Sequence, residues 1–176
     1  MTASAPSLVL VGPMGAGKTS IGRKVARALG VPFADTDAAI VRAHGPIAEL
    51  FRTEGEPRFR ELEREAVAAA LAEPGVVSLG GGAVLDPDTR ADLAAHPVVL
   101  LTVSPEVVAG RIGGGSRPLL ADEDPVTRWV RILEERRPLY DAVADVEFDT
   151  SRGPLSEVVA AIVAWVQARA EQESTA

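Results

Sequence analysis

Eight residues, Gly12-Pro-Met-Gly-Ala-Gly-Lys-Thr19, have the types and spacing of a loop that wraps a polyphosphate. Gly12, Gly15 and Gly17 lack a Cβ, so backbone N–H groups from here through Ala16 to Ser20 can approach phosphate oxygens closely. Lys18 adds a point charge for the outer phosphates, and Thr19 offers a hydroxyl to the Mg²⁺ that travels with a nucleotide. The second set with chemistry in it is Asp35-Thr-Asp37. Residues two apart on an extended strand share a face, which aims Asp35 at the hydrated Mg²⁺ and Asp37 at the group that receives the phosphate. A plainer alternative makes Asp37 the cap of a helix over 38–44.

Four further stretches carry candidate chemistry. Gly80-Gly-Gly82 follows a short apolar run, and three consecutive glycines, costly in conformational entropy, read as close approach of backbone to a bound molecule. Residues 113–124 form a long loop with a glycine hinge and Arg117 in its middle; we read it as a mobile lid that brings Arg117 to the transferring phosphate. Arg60 stands between Glu56 and Glu63 at helical spacing, which by itself describes a solvated salt-bridge ladder. Arg136 and Arg137 end a helical pattern over 126–135, where the helix dipole favours cations. Lys18 and Lys24 are the only lysines among 18 basic residues, so a single arginine says little here. His44 has no partner at ligand spacing and reads as a loop residue.

The elements that must position these groups follow from periodicity and punctuation. Apolar runs at 7–11, 31–34, 76–79, 98–103 and 146–149 read as strands. Helical patterns run to Gly30, over 38–44, over 47–73 with a break near 55–57, from a cap at Asp86 or Asp88, over 104–111 and over 155–169. Five strands alternating with helices after a phosphate loop predict a three-layer α/β/α fold around a parallel sheet. Residues 1–170 are expected to form a single domain with a lid at about 112–124, and 171–176 a frayed tail. The chain has 176 residues and a net charge of −7, which argues against nucleic acid or an anionic membrane as partner. With no cysteine there is neither a disulfide framework nor a thiolate metal site. No basic segment precedes the first apolar run and the longest, 158–166, is too short to span a bilayer; the expectation is a cytoplasmic protein.

The phosphate loop followed by Ile21-Gly-Arg23, together with Asp35-Thr-Asp37, Phe59-Arg60, Ser78 to Ala83, Arg117 to Leu120 and Arg136 to Tyr140, resembles the shikimate kinase family in order and approximate spacing over most of the chain. The resemblance implies a P-loop kinase fold and transfer of the terminal phosphate of ATP, with Mg²⁺, to the 3-hydroxyl of shikimate in the route to chorismate and aromatic amino acids. It makes Lys18, Asp37 and Arg117 the catalytic set. Arg60 and Arg136 are then the pair that grips the substrate carboxylate, Gly81 with Gly80 and Gly82 the pocket floor, and Glu63 the group that orients the arginines. Arg111, Arg152 and Pro154 are expected beside the adenine. A monomer is expected.

Other small-molecule kinases compete with this reading. A nucleotide acceptor wants an aromatic or amide-rich pocket, whereas aromatics are 4% of the chain and asparagine is absent. Gluconate, another hydroxylated carboxylate, stays open. A GTP-dependent switch needs a guanine-reading Asn and commonly a water-positioning Gln, and the first glutamine is Gln167.

Overall fold

A computed structural model describes residues 6–112 and 123–175. Its five strands are β1 (Leu8–Val11), β2 (Phe33–Asp35), β3 (Val76–Ser78), β4 (Val98–Thr102) and β5 (Val146–Asp149). They form one parallel sheet in the order β2-β3-β1-β4-β5. The helices are α1 (Lys18–Leu29), α2 (Thr36–His44), α3 (Ile47–Leu71), α4 (Pro87–Leu93), α5 (Pro105–Ile112), α6 (Pro125–Val143) and α7 (Leu155–Thr175), with a short 3-10 turn at Ala83–Leu85.

The central strand explains the layering. Leu8 and Leu10 face one side, where they join a core with Ile21, Val25 and Ile162, while Val9 and Val11 face the other, with Val67, Leu93 and Tyr140. Both faces are therefore covered, which is why β1 and β4 read as continuous apolar runs rather than alternating ones. The chain turns to opposite sides of β1, with β3 on one edge and β4 on the other. At such a switch point the loops leaving the carboxyl ends of neighbouring strands separate and open a crevice. Asp35 and Leu10 both pair with Ser78, so the ends of β2, β3 and β1 lie level, and the loops they feed emerge together.

Several local expectations change. Val31 donates its N–H back to Ala26 and finishes α1, so β2 starts at Phe33. Asp35, not Asp37, caps α2, its Oδ1 accepting from Ala38 N at 2.9 Å. The two carboxylates are thus not strand neighbours: Asp35 ends the strand and Asp37 sits in the first turn of the helix. His44 ends α2 rather than lying in a loop. The break in α3 falls at Gly55, with φ 82° and ψ 167°.

The largest correction concerns α6, which continues through Arg136, Arg137 and Pro138 to Val143. Proline removes the bond to the carbonyl of Glu134, but both residues are exposed, so water meets that carbonyl while Trp129 and Tyr140 bury the opposite face. The two arginines are mid-helix, and the helix dipole does not account for them. At the C-terminus, α7 extends to Thr175 where fraying was expected from 171. An Arg169–Glu173 pair at 3.1 Å and hydroxyl bonds from Ser174 and Thr175 back to the preceding turn support the last turns.

Candidate active site

A cleft of about 820 Å³ opens at the carboxyl edge of the sheet. One half is the phosphate loop. Gly12 has φ 143°, and a Cβ there would lie 2.2 Å from the Leu101 carbonyl oxygen, so the loop can leave β1 against β4 only as glycine. Gly12 and Ala16 stand behind the loop, whereas Gly15, Gly17, Lys18, Thr19 and Ser20 line the cleft. Three side chains fix the loop backbone from three elements. Trp129 Nε1 donates to Met14 O at 2.8 Å, Arg111 Nη1 to Gly15 O at 2.6 Å, and Thr150 Oγ1 to Ala16 O at 3.0 Å. Helix α1 starts at Lys18 without a side-chain cap, which leaves its first N–H groups for an anion.

Lys18 Nζ donates to the carbonyls of Gly12 and Pro13 at 2.7 and 2.9 Å. Desolvation within the loop lowers its pKa to about 8, with Asp37 and Asp35 opposing the fall. Thr19 Oγ1 donates to Asp35 Oδ2 at 2.6 Å. Among the described residues no group of three or more His, Asp or Glu could hold a metal by itself. A hydroxyl and a carboxylate beside a phosphate loop suit Mg²⁺, which keeps most of its waters and takes its remaining ligands from phosphates.

The other half is built from α2, α3, α6 and the turn after β3. Burial pushes the Asp37 carboxyl above the usual carboxylate range, helped by Asp35 and resisted by Lys18 and Arg60. Glu63 is 3% exposed and accepts from Arg60 Nη1 at 2.7 Å; its carboxyl is raised too, because burial outweighs the arginine. Arg60 also reaches Glu56 at 3.2 Å and lies over the Phe59 ring. The ladder foreseen for Arg60 is therefore present, but its inner rung is buried in the cleft wall. Arg136 lines the same cleft, and among the described residues it joins no ion pair, whereas Arg137 is held by Asp141 and Glu147.

The glycines after β3 line the cleft and make room for neighbouring side chains. A Cβ on Gly80 would lie 2.5 Å from Asp37 Oδ1, and one on Gly82 2.2 Å from Arg60 Nη1. The close approach made here is by the protein's own charged side chains. Thr36, fully buried, accepts from Gly80 N at 3.2 Å, and Tyr140 donates its hydroxyl to Gly81 O.

The cleft thus gathers Lys18, Thr19, Ser20, Asp35, Asp37, Arg60, Glu63, Gly80 to Gly82, Arg111 and Arg136. Arg111 spends its donors on Gly15 and Thr150. Arg152 and Pro154 are exposed in the turn between β5 and α7 and do not line it, although the next residue, Leu155, does. Arg117 lies outside the described residues. Sequence reasoning missed Thr36, Trp129, Thr150 and the hydroxyl of Tyr140 as site-building groups. Trp129 left a trace, standing two helical turns before Arg136 and so on its face, and Thr36 and Tyr140 stood inside motifs singled out for their charged residues.

The sequence pattern of one family, described as Shikimate kinase, matches residues 14–167. The chain belongs to the shikimate kinase family. It is 50% identical over 167 residues to the shikimate kinase of Mycobacterium avium (strain 104), an overlap of 93% of this chain and 95% of that one. The solved structure of the Acinetobacter baumannii shikimate kinase in complex with shikimate superposes with a TM-score of 0.84 at 34% identity, covering 95% and 96% of the two chains. A gluconokinase from Sinorhizobium meliloti is less similar, with a TM-score of 0.65 at 27% identity over 97% and 96%. Membership in the family makes the chain an ATP-dependent phosphotransferase with an alcohol acceptor.

Proposed function

We propose that this cleft transfers the terminal phosphate of ATP to the 3-hydroxyl of shikimate, giving shikimate 3-phosphate and ADP. The loop N–H groups and Lys18 take the polyphosphate, and Thr19 and Asp35 hold the Mg²⁺, which when bound neutralises phosphate charge. Arg60 and Arg136 grip the shikimate carboxylate, for which planar guanidinium forks are well shaped. Asp37 binds the ring hydroxyls and receives the proton of the attacking one. The acceptor oxygen bonds to the terminal phosphorus as the bond to the bridging oxygen breaks, and that oxygen leaves on ADP. Little covalent chemistry falls to the protein, so its contribution is position and charge. The same reading takes the enzyme to work as a monomer in the cytoplasm. Among the described residues no helix is long and apolar enough to cross a membrane.

One observation supports the acceptor assignment above the rest: Arg136, in no ion pair among the described residues, shares a cleft with Asp37 and the phosphate loop. A guanidinium there, with Glu63 near but not paired to it, suits an anionic substrate. Gluconate is also a carboxylate, and the gluconokinase likeness makes it the acceptor to compare. ADP release with Mg·ATP is measured with shikimate, gluconate and AMP. Turnover is expected with shikimate alone, and Arg136→Ala should raise its KM roughly 10- to 100-fold, as expected for a charge-assisted bond of about 1.5–3 kcal/mol. Turnover with gluconate and silence with shikimate would reassign the acceptor.

A further inference from the structure

The two loops that build this cleft lie within a methyl group of each other. A Cβ on Gly81 would lie 3.5 Å from the Gly12 carbonyl oxygen, 3.6 Å from Met14 N and 3.6 Å from the Tyr140 hydroxyl. Room for about one methyl group thus separates the phosphate loop from the glycine turn after β3. One helix holds both partners. Trp129 of α6 donates its indole N–H to Met14 O at 2.8 Å, and Tyr140 of α6 donates its hydroxyl to Gly81 O. Trp129 is 4% exposed and Tyr140 1%, so neither ring can swing away without opening the core. Both acceptors are backbone carbonyls, so these bonds locate the chain itself. Between them the same helix sends Arg136 into the cleft.

We propose that α6 is the ruler of the transfer, with Trp129 and Tyr140 as positioning residues that fix the spacing between the nucleotide loop and the acceptor floor. The inference rests on the kinase reading above. Transfer needs the acceptor oxygen roughly 3–3.5 Å from the phosphorus, and a misplacement of about 1 Å can cost on the order of 100-fold. Neither side chain touches reacting atoms; they act through Met14 and Gly81, and the Tyr140 hydroxyl also lies beside the Arg136 guanidinium. Without the Tyr140 hydroxyl, Gly81 O loses its donor and the glycine turn can drift from the phosphate loop. Water then enters beside the terminal phosphate and attacks in place of the alcohol, yielding ADP and inorganic phosphate instead of shikimate 3-phosphate.

The test measures ADP and shikimate 3-phosphate in the same reactions, with thermal melting alongside, for the unaltered protein, Tyr140→Phe and Trp129→Phe. The unaltered protein should give a ratio near one. Tyr140→Phe should raise the ratio at least about twofold and lower kcat for transfer about tenfold, with the KM for ATP within about threefold. Trp129→Phe keeps an aromatic ring, loses the N–H and should shift the ratio in the same direction, which keeps the test available if Tyr140→Phe folds poorly. A merely structural role would lower the melting temperature and the amount of active protein while leaving the ratio and the kcat of the folded fraction unchanged, and that outcome overturns the inference. Failure of the unaltered protein to form shikimate 3-phosphate refutes the functional reading, and this inference with it.

Discussion

Arg60 fills the space that a side chain on Gly82 would need: a Cβ there would lie 2.2 Å from Nη1 and 2.8 Å from Cζ of the guanidinium. Gly82 itself has φ −97° and ψ −1°, a conformation open to alanine. Steric contact with Arg60, not backbone strain, is what a methyl group would change.

Gly82→Ala should therefore leave the fold intact and displace Arg60 from Glu63. The expected result is a KM for shikimate raised about tenfold, equivalent to about 1.4 kcal/mol, with the KM for ATP unchanged. Steady-state kinetics check this, with circular dichroism to confirm folding. An unaltered shikimate KM would mean that Arg60 has room to move without losing the substrate.

Asp37 carries a prediction of opposite signs for activity and stability. Burial and Asp35 raise its pKa, so the ionised form is penalised in the native state. That penalty is fully present above the raised pKa and is relieved as pH falls through it. Asp37→Asn removes the charge, and its melting temperature at neutral pH should equal or exceed that of the unaltered protein, while kcat falls by about 10²–10⁴. The acid limb of kcat/KM should lie above the ordinary aspartate value of about 3.9, with Glu63, also raised, contributing to it. A variant that is both inactive and less stable would contradict the assignment.

Lys18 predicts proton uptake on nucleotide binding. Its pKa of about 8 means that the ammonium is increasingly neutral in the free protein above that pH. Phosphates require the charged form, so affinity for Mg·ATP should be level below about pH 8 and fall up to about tenfold per pH unit above it. Calorimetry in buffers of different ionisation enthalpy reads the uptake directly. Affinity that stays level through alkaline pH, without uptake, would show that Lys18 remains charged in the free loop.

What the chain discloses about this site depends on how local the physics is. The phosphate loop is legible because its glycines, lysine and hydroxyl stand at fixed spacing in one turn of chain. Asp35 and Asp37 are legible as a pair, but the geometry expected for them was wrong: Asp35 ends its strand and caps the next helix. Local rules ended α6 before Pro138, whereas packing of Trp129 and Tyr140 carries the helix past it. Arg60 and Arg136 could be distinguished from other arginines only through family resemblance, since each has a mundane explanation in its own segment. Trp129 and Tyr140 bond to carbonyls 115 and 59 positions away, a relation with no signature in composition or period.

The central claim is tested most directly by identifying the product. The protein is incubated with Mg·ATP and shikimate, and phosphorus–proton correlation by NMR assigns the phosphorylated position. The account predicts one new phosphate ester, on the 3-hydroxyl, formed in step with ADP. Phosphate on another hydroxyl, or inorganic phosphate alone, would contradict the placement of Asp37, Arg60 and Arg136 around the acceptor.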